Sequence, residues 1–81
     1  MINVKFFGLI RLSIKTNDID IEANTVNEAL KKISQQYEVE LNALRNSIIL
    51  VNDKNIIHLK MLKTRLYDGD EIKILSAGGG G

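Results

Sequence analysis

Ile2, Val4 and Phe6 alternate with Asn3, Lys5 and Phe7, a period of two that turns one set of side chains toward a core and the other away from it. Ile19, Ile21 and Ala23 alternate with Asp18, Asp20 and Glu22 in the same way. The two segments predict an opening hairpin. Their connection, residues 8–17, is long for a hairpin and carries Leu9, Ile10, Leu12 and Ile14, so part of it is expected to pack rather than stand in solvent.

A helical period follows. Thr25 and Glu28 have the spacing of a capping box, in which the threonine hydroxyl accepts from a first-turn amide and the glutamate reaches back to the threonine amide. Val26, Ala29, Leu30, Ile33 and Tyr37 then recur on one face, leaving Lys31, Lys32, Gln35 and Gln36 on the wet side. Residues 38–46 are ambiguous and allow a short helical turn around Leu41 and Leu44. The β-branched run at residues 47–52 predicts a strand buried on both faces. Asp53, Lys54 and Asn55 read as a turn, and residues 56–60 as a short edge strand. Asp68, Gly69 and Asp70 supply turn chemistry ahead of a last strand, residues 71–77.

Two strands, one main helix and two or three further strands make an α+β arrangement, with the helix packed on one face of a mixed sheet. Their order matches the ubiquitin-like β-grasp. In that fold the first and last strands lie side by side and parallel in mid-sheet. The expected organisation is a β-grasp domain over residues 1–77 and a flexible glycine tail over residues 78–81.

At 81 residues only one small domain fits, near the lower limit for a core without staples. With no cysteine, no disulfide framework, thiolate site or cysteine nucleophile is available. The formal net charge is +1, and the 11 basic and 10 acidic residues are interspersed, which argues against nucleic acid as a partner. The longest apolar run, Ile48, Ile49, Leu50 and Val51, is far short of the ~20 residues that cross a bilayer, and the first residues lack a signal-peptide pattern. A cytoplasmic protein with no membrane partner is the expectation.

Side chains able to do chemistry are few. His58, the only histidine, has no recognisable partner and reads as structural or solvent-facing. Asp18, Asp20 and Glu22 share the outer side of an amphipathic strand, where solvation accounts for them. Asp68 and Asp70 flank a glycine, yet the other ligands of a calcium loop are missing. No catalytic residue and no metal or bound cofactor is therefore expected. The group best placed for chemistry is carried by Gly78, Gly79, Gly80 and Gly81, the last residues of the sequence. Without Cβ atoms such a segment can thread a channel too narrow for side chains, and four residues reach roughly 13 to 14 Å. It would carry the Gly81 carboxylate, ionised near neutrality and unreactive until a partner converts it to an acyl donor. An inert, frayed terminus or a linker is the other reading. Strand alternation adds Phe7 and Leu75, which fall on the face opposite Phe6, Ile72 and Ile74 and would be exposed together as a docking patch. Burial of the pair under residues 8–17 is the alternative.

Several motifs in order resemble the MoaD/ThiS sulfur-carrier family, over the whole chain. They are Val4-Lys5-Phe6-Phe7-Gly8 with Arg11, Thr25-Val26-Asn27-Glu28-Ala29-Leu30, Val51-Asn52-Asp53-Lys54-Asn55-Ile56, and Leu66-Tyr67-Asp68-Gly69-Asp70-Glu71-Ile72 leading to a terminal diglycine. The spacing between the Asp68 turn and the terminus is most similar to that of molybdopterin synthase small subunits. The resemblance implies that an ATP-using, ubiquitin-activating-like adenylyltransferase activates Gly81, and that a sulfur donor system converts it to a thiocarboxylate. The tail, Gly78 to Gly80 included, would then enter the large subunit of molybdopterin synthase, where sulfur builds the dithiolene that binds molybdenum or tungsten. Phe7, Leu59 and Leu75 are implied as apolar partner contacts and Arg11 as a polar one, with catalytic groups left to the partners.

Two segments depart from the family. Met61-Leu62-Lys63 stands where a Gly-Leu-Asp-like stretch is usual, and Leu75-Ser76-Ala77-Gly78-Gly79 replaces a Phe-Pro-containing approach to the diglycine. Thiamin-type sulfur carriers, ubiquitin-like protein modifiers and a β-grasp interaction module with an inert tail remain open alternatives.

Overall fold

The computed structural model describes residues 1–76. Strand β1 (Ile2–Gly8) pairs antiparallel with β2 (Asp18–Ile21), and the apolar set Ile2, Val4 and Phe6 is buried as its alternation requires. The connection between them holds a five-residue helix, α1 (Ile10–Ile14). Ile10 and Ile14 are buried, whereas Leu9 and Leu12 face outward, so half of the apolar content of residues 8–17 joins the core.

Helix α2 (Val26–Tyr37) starts where its capping pattern predicts. The Thr25 hydroxyl accepts from the Glu28 amide at 3.1 Å, satisfying one first-turn donor. The second half of the box is replaced by an ion pair, with the Glu28 carboxylate 3.5 Å from Lys32 Nζ one turn along. Val26, Ala29, Leu30 and Ile33 are buried against the sheet, Tyr37 is half-buried, and Lys31, Lys32, Gln35 and Gln36 are exposed. A short helix, α3 (Leu41–Arg45), occupies the ambiguous segment and drives Leu44 into the core.

Strand β3 (Ile48–Val51) turns directly into β4 (Lys54–Asn55). The expected turn at residues 53–55 and edge strand at residues 56–60 are both displaced. Asn52 and Asp53 adopt φ of 50° and 68°, the pair of left-handed residues that a two-residue hairpin needs, so Lys54 and Asn55 are already strand. Ile56–His58 and Met61–Lys63 are instead 3-10 turns, with Ile56 plugging the core. The expectation that β3 is buried on both faces also fails. Ile49 and Val51 are buried, Leu50 is half-buried and Ile48 is 42% exposed, because α2 covers one face only.

Strand β5 (Glu71–Ser76) closes the sheet. Among the described residues the strand order is β2-β1-β5-β3-β4, with β1 and β5 parallel in the middle, the β-grasp arrangement. Gly69, with φ of 92°, makes the sharp turn into β5. A second tie joins residues 24–26 to residues 64–66. Val26 donates to the Thr64 carbonyl at 3.0 Å and Leu66 to the Asn24 carbonyl at 2.9 Å, which holds the start of α2 to the segment that precedes β5. Buried Thr64 is satisfied there, since its hydroxyl donates to the Met61 carbonyl at 2.7 Å and accepts from the Lys60 amide at 3.0 Å.

Candidate functional site

The sheet face that α2 leaves uncovered carries three bands of side chains, set by strand register. Phe7 on β1 stands opposite Leu75 on β5, and Leu75 stands opposite Ile48 on β3. Their exposures are 41%, 41% and 42%, so three large apolar side chains line up across three adjacent strands. Contiguity separates this row from scattered exposed residues. It lies at the end of the sheet where β5 leads into residues 77–81.

Behind the row come Lys5, Lys73 and Leu50, then Asn3 and Glu71. Lys5 and Lys73 are direct cross-strand partners, a repulsive pairing unless compensated. Glu71 compensates both, at 3.2 Å from Lys5 and 3.8 Å from Lys73, and Asp53 lies 2.7 Å from Lys73. The Lys73 ammonium is held above its ordinary pKa, first by its hydrogen bond to Asp53, then by that carboxylate's charge, with Glu71 adding to it and desolvation opposing. The charges of this band are thus matched within the protein, which leaves the apolar row as the feature open to a partner.

The remaining residues singled out from the sequence are scattered by comparison. Arg11 is exposed on α1, beside a shallow depression that it shares with Gly8, Leu12, Lys15, Thr16 and Asn17. Leu59 follows the first 3-10 turn, its amide donating to the Ile56 carbonyl at 2.9 Å, and is 37% exposed but outside the cross-strand row. His58 is exposed in that same turn. Asp18 and Asp20 both accept from the Asn3 side-chain amide, the second at 3.1 Å, which ties β2 to β1. Asp68 pairs with the N-terminal ammonium, while Asp70 accepts from the Tyr67 amide at 2.8 Å and from Asn52 at 3.0 Å. Among the described residues no three His, Asp or Glu side chains converge on a metal position. No described helix is long and apolar enough to cross a membrane. Gly78, Gly79, Gly80 and Gly81, on which the threading and modification readings fall, lie outside the described residues.

Ile48 is the residue that sequence reasoning missed. The unbroken apolar run at residues 48–51 reads as buried on both faces, which hides the exposure of Ile48, and its place beside Leu75 depends on β3 pairing with β5, which periodicity does not encode.

A mixed five-stranded sheet, one main helix on one face, and an exposed apolar row next to the exit toward a terminal glycine run define a small ubiquitin-like β-grasp protein. The chain belongs to the ThiS family, whose model matches residues 4–81. It is a small sulfur carrier or ubiquitin-like modifier of the ThiS/MoaD superfamily. The chain is similar to the small archaeal modifier protein SAMP1 of Methanosarcina acetivorans, with 30% identity and a TM-score of 0.83 over 96% of this chain and 95% of that one. It is also similar to a chain in the complex of subunits 1 and 2 of the molybdopterin-converting factor from Helicobacter pylori, with 35% identity and a TM-score of 0.64 over 99% and 97% of the two chains. A chain of the BexX/CysO complex from Amycolatopsis orientalis shares the fold, with 21% identity, a TM-score of 0.81 and 100% of both chains covered. No protein in a search of curated sequences matches the chain significantly.

Proposed function

We propose that this protein carries sulfur as a thiocarboxylate on Gly81 and delivers it as the small subunit of a molybdopterin synthase. The observation that supports this reading most is the exposed row of Phe7, Leu75 and Ile48, set on the strand that runs on to the terminus. A carrier needs a surface by which partners hold it and a carboxylate they can reach, and it needs no catalytic group of its own. The Gly81 carboxylate attacks the α-phosphorus of ATP in the active site of an adenylyltransferase, which forms the acyl adenylate and releases pyrophosphate. A sulfur nucleophile then attacks the acyl carbon and expels AMP, leaving the thiocarboxylate. Gly78, Gly79 and Gly80 pass through the partner's channel because they present backbone alone. Phe7, Leu75 and Ile48 dock on the large subunit, with Arg11 and Leu59 as flanking contacts.

The 35% identity to a chain of the Helicobacter molybdopterin-converting factor complex favours the pterin branch. The higher TM-score to an archaeal modifier protein favours a second reading, in which the activated Gly81 is joined to amines of other proteins. One experiment separates them. After incubation with the cognate adenylyltransferase, ATP and a sulfide donor, the intact mass rises by about 16 Da, the difference between oxygen and sulfur. The thiocarboxylated protein then converts the cyclic pyranopterin precursor to dithiolene product when the large subunit is added. An unchanged mass with a competent enzyme refutes the carrier reading. Isopeptide adducts without dithiolene product establish the modifier reading instead.

A further inference from the structure

Leu9, at the N-cap position of α1, has no side-chain oxygen with which to receive the first amides of that helix. The acceptor for the Ile10 amide comes from 66 residues along the chain: Ser76 Oγ, at 2.8 Å in a partly buried setting. Ser76 is the last residue of β5 and stands in register with Gly8, the last residue of β1. Gly8 has φ of +81°, and a Cβ there would lie 2.6 Å from the Ser76 carbonyl oxygen and 3.1 Å from its hydroxyl. That carbonyl belongs to the peptide bond that links Ser76 to Ala77. The Ser76 hydroxyl is therefore held under the Ile10 amide, and its carbonyl lies close enough to Gly8 that only a residue without a Cβ fits there.

Neither contact is demanded by the core, because Ser76 is half-buried and the neighbouring Leu75 points outward. Their effect falls on where the end of β5 is held. Residues 77–81 span at most roughly 17 to 18 Å when extended. Once a partner's channel holds such a segment extended, a difference of about 30° at its root would displace the far end by roughly 9 Å, whereas reacting atoms must meet within about 3.5 Å. Leu75 belongs to the exposed row, so one residue separates the docking surface from the seated root.

We propose that Ser76 is a positioning residue. With Gly8 and the Ile10 amide it fixes the end of β5 relative to the Phe7–Leu75–Ile48 row, so that a partner docked on that row meets the point from which the C-terminal segment departs at one fixed place. This rests on the carrier reading given above. Loss of the Ser76 hydroxyl frees the root without touching the row, and so slows the acyl step without weakening docking.

Ser76→Ala and Ser76→Thr, in the full chain, are compared with wild type in adenylation by the cognate ATP-using enzyme, read as pyrophosphate release against carrier concentration. Ser76→Ala lowers kcat by about tenfold or more while KM stays within about twofold, and Ser76→Thr, which keeps the hydroxyl, returns kcat to within about twofold of wild type. Unchanged kcat in Ser76→Ala, or an equal loss in Ser76→Thr, overturns the positioning role. The backbone order parameter of Ser76 is measured on the same proteins. It falls from the rigid range near 0.85 toward about 0.6 in Ser76→Ala only. An unchanged order parameter overturns the proposal whether or not the enzyme activates the carrier, whereas failure of the wild type to be adenylated refutes the carrier reading.

Discussion

Phe6 and Phe7 are neighbours in sequence and opposites in structure, which makes the pair a sharp probe of the strand register on which the docking surface depends. Phe6 has no exposed surface, and Phe7 is 41% exposed. Removing a fully buried phenyl group leaves a cavity as well as lost transfer energy, and Phe6→Ala is expected to cost about 3 to 5 kcal/mol. A phenylalanine side chain offers roughly 200 Å², about three-fifths of it covered at Phe7. At about 25 cal/mol per Å² this gives an upper bound of ~3 kcal/mol, before allowing for area already hidden in the unfolded chain and for what alanine still covers. Phe7→Ala should therefore cost about 1 to 2 kcal/mol. In a domain this size each kcal/mol moves Tm by about 4 to 8 °C, so the two variants separate clearly in thermal or urea unfolding followed by circular dichroism. The rank reverses in binding. Among variants still folded, the proposed docking role predicts that Phe7→Ala weakens association with the partner by at least about 1 kcal/mol, roughly fivefold in Kd, read by calorimetry. A larger stability loss for Phe7→Ala than for Phe6→Ala would refute the assignment of faces, and unaltered partner affinity in Phe7→Ala would refute the docking role of the row.

Met61 adopts φ of 52° and is 52% exposed, so Met61→Gly relieves left-handed backbone at little cost in packing and is expected to stabilise the domain by about 0.5 to 1 kcal/mol; a lower urea midpoint would contradict this. Thr25→Ala removes the hydroxyl that accepts from the Glu28 amide at 3.1 Å and should cost about 1 kcal/mol in the same unfolding assay, with a neutral result meaning that the cap is dispensable to α2.

Met61 opens the Met61-Leu62-Lys63 stretch that departs from the Gly-Leu-Asp-like pattern of the resemblance, and its φ of 52° is a backbone conformation that glycine adopts without strain. Leu75 and the Asp68 turn show how far local pattern carries. Alternation placed Leu75 on the outer face, and the Asp-Gly-Asp spacing placed a turn that Gly69 makes with φ of 92°. Helix α2, its cap and its apolar face were legible for the same reason, since each depends on residues within a turn or two of one another.

Contacts distant in sequence were not legible. Asp53 reads as a turn former and Asn52 as the end of a strand; that the two take the central hairpin positions and push Lys54 and Asn55 into strand is settled by the pairing of β3 with β4. Ile48 joins Phe7 and Leu75 only because β5 lies between β1 and β3. Ser76 serves as the cap of α1 only because the parallel register sets it against Gly8. The sequence by itself determined the buried faces of β1, α2 and β5 and where the main helix begins. The tertiary structure alone decided which outward-facing residues become neighbours. Periodicity specifies the face of an element through its own backbone geometry, while register and strand order arise from the joint packing of the whole chain.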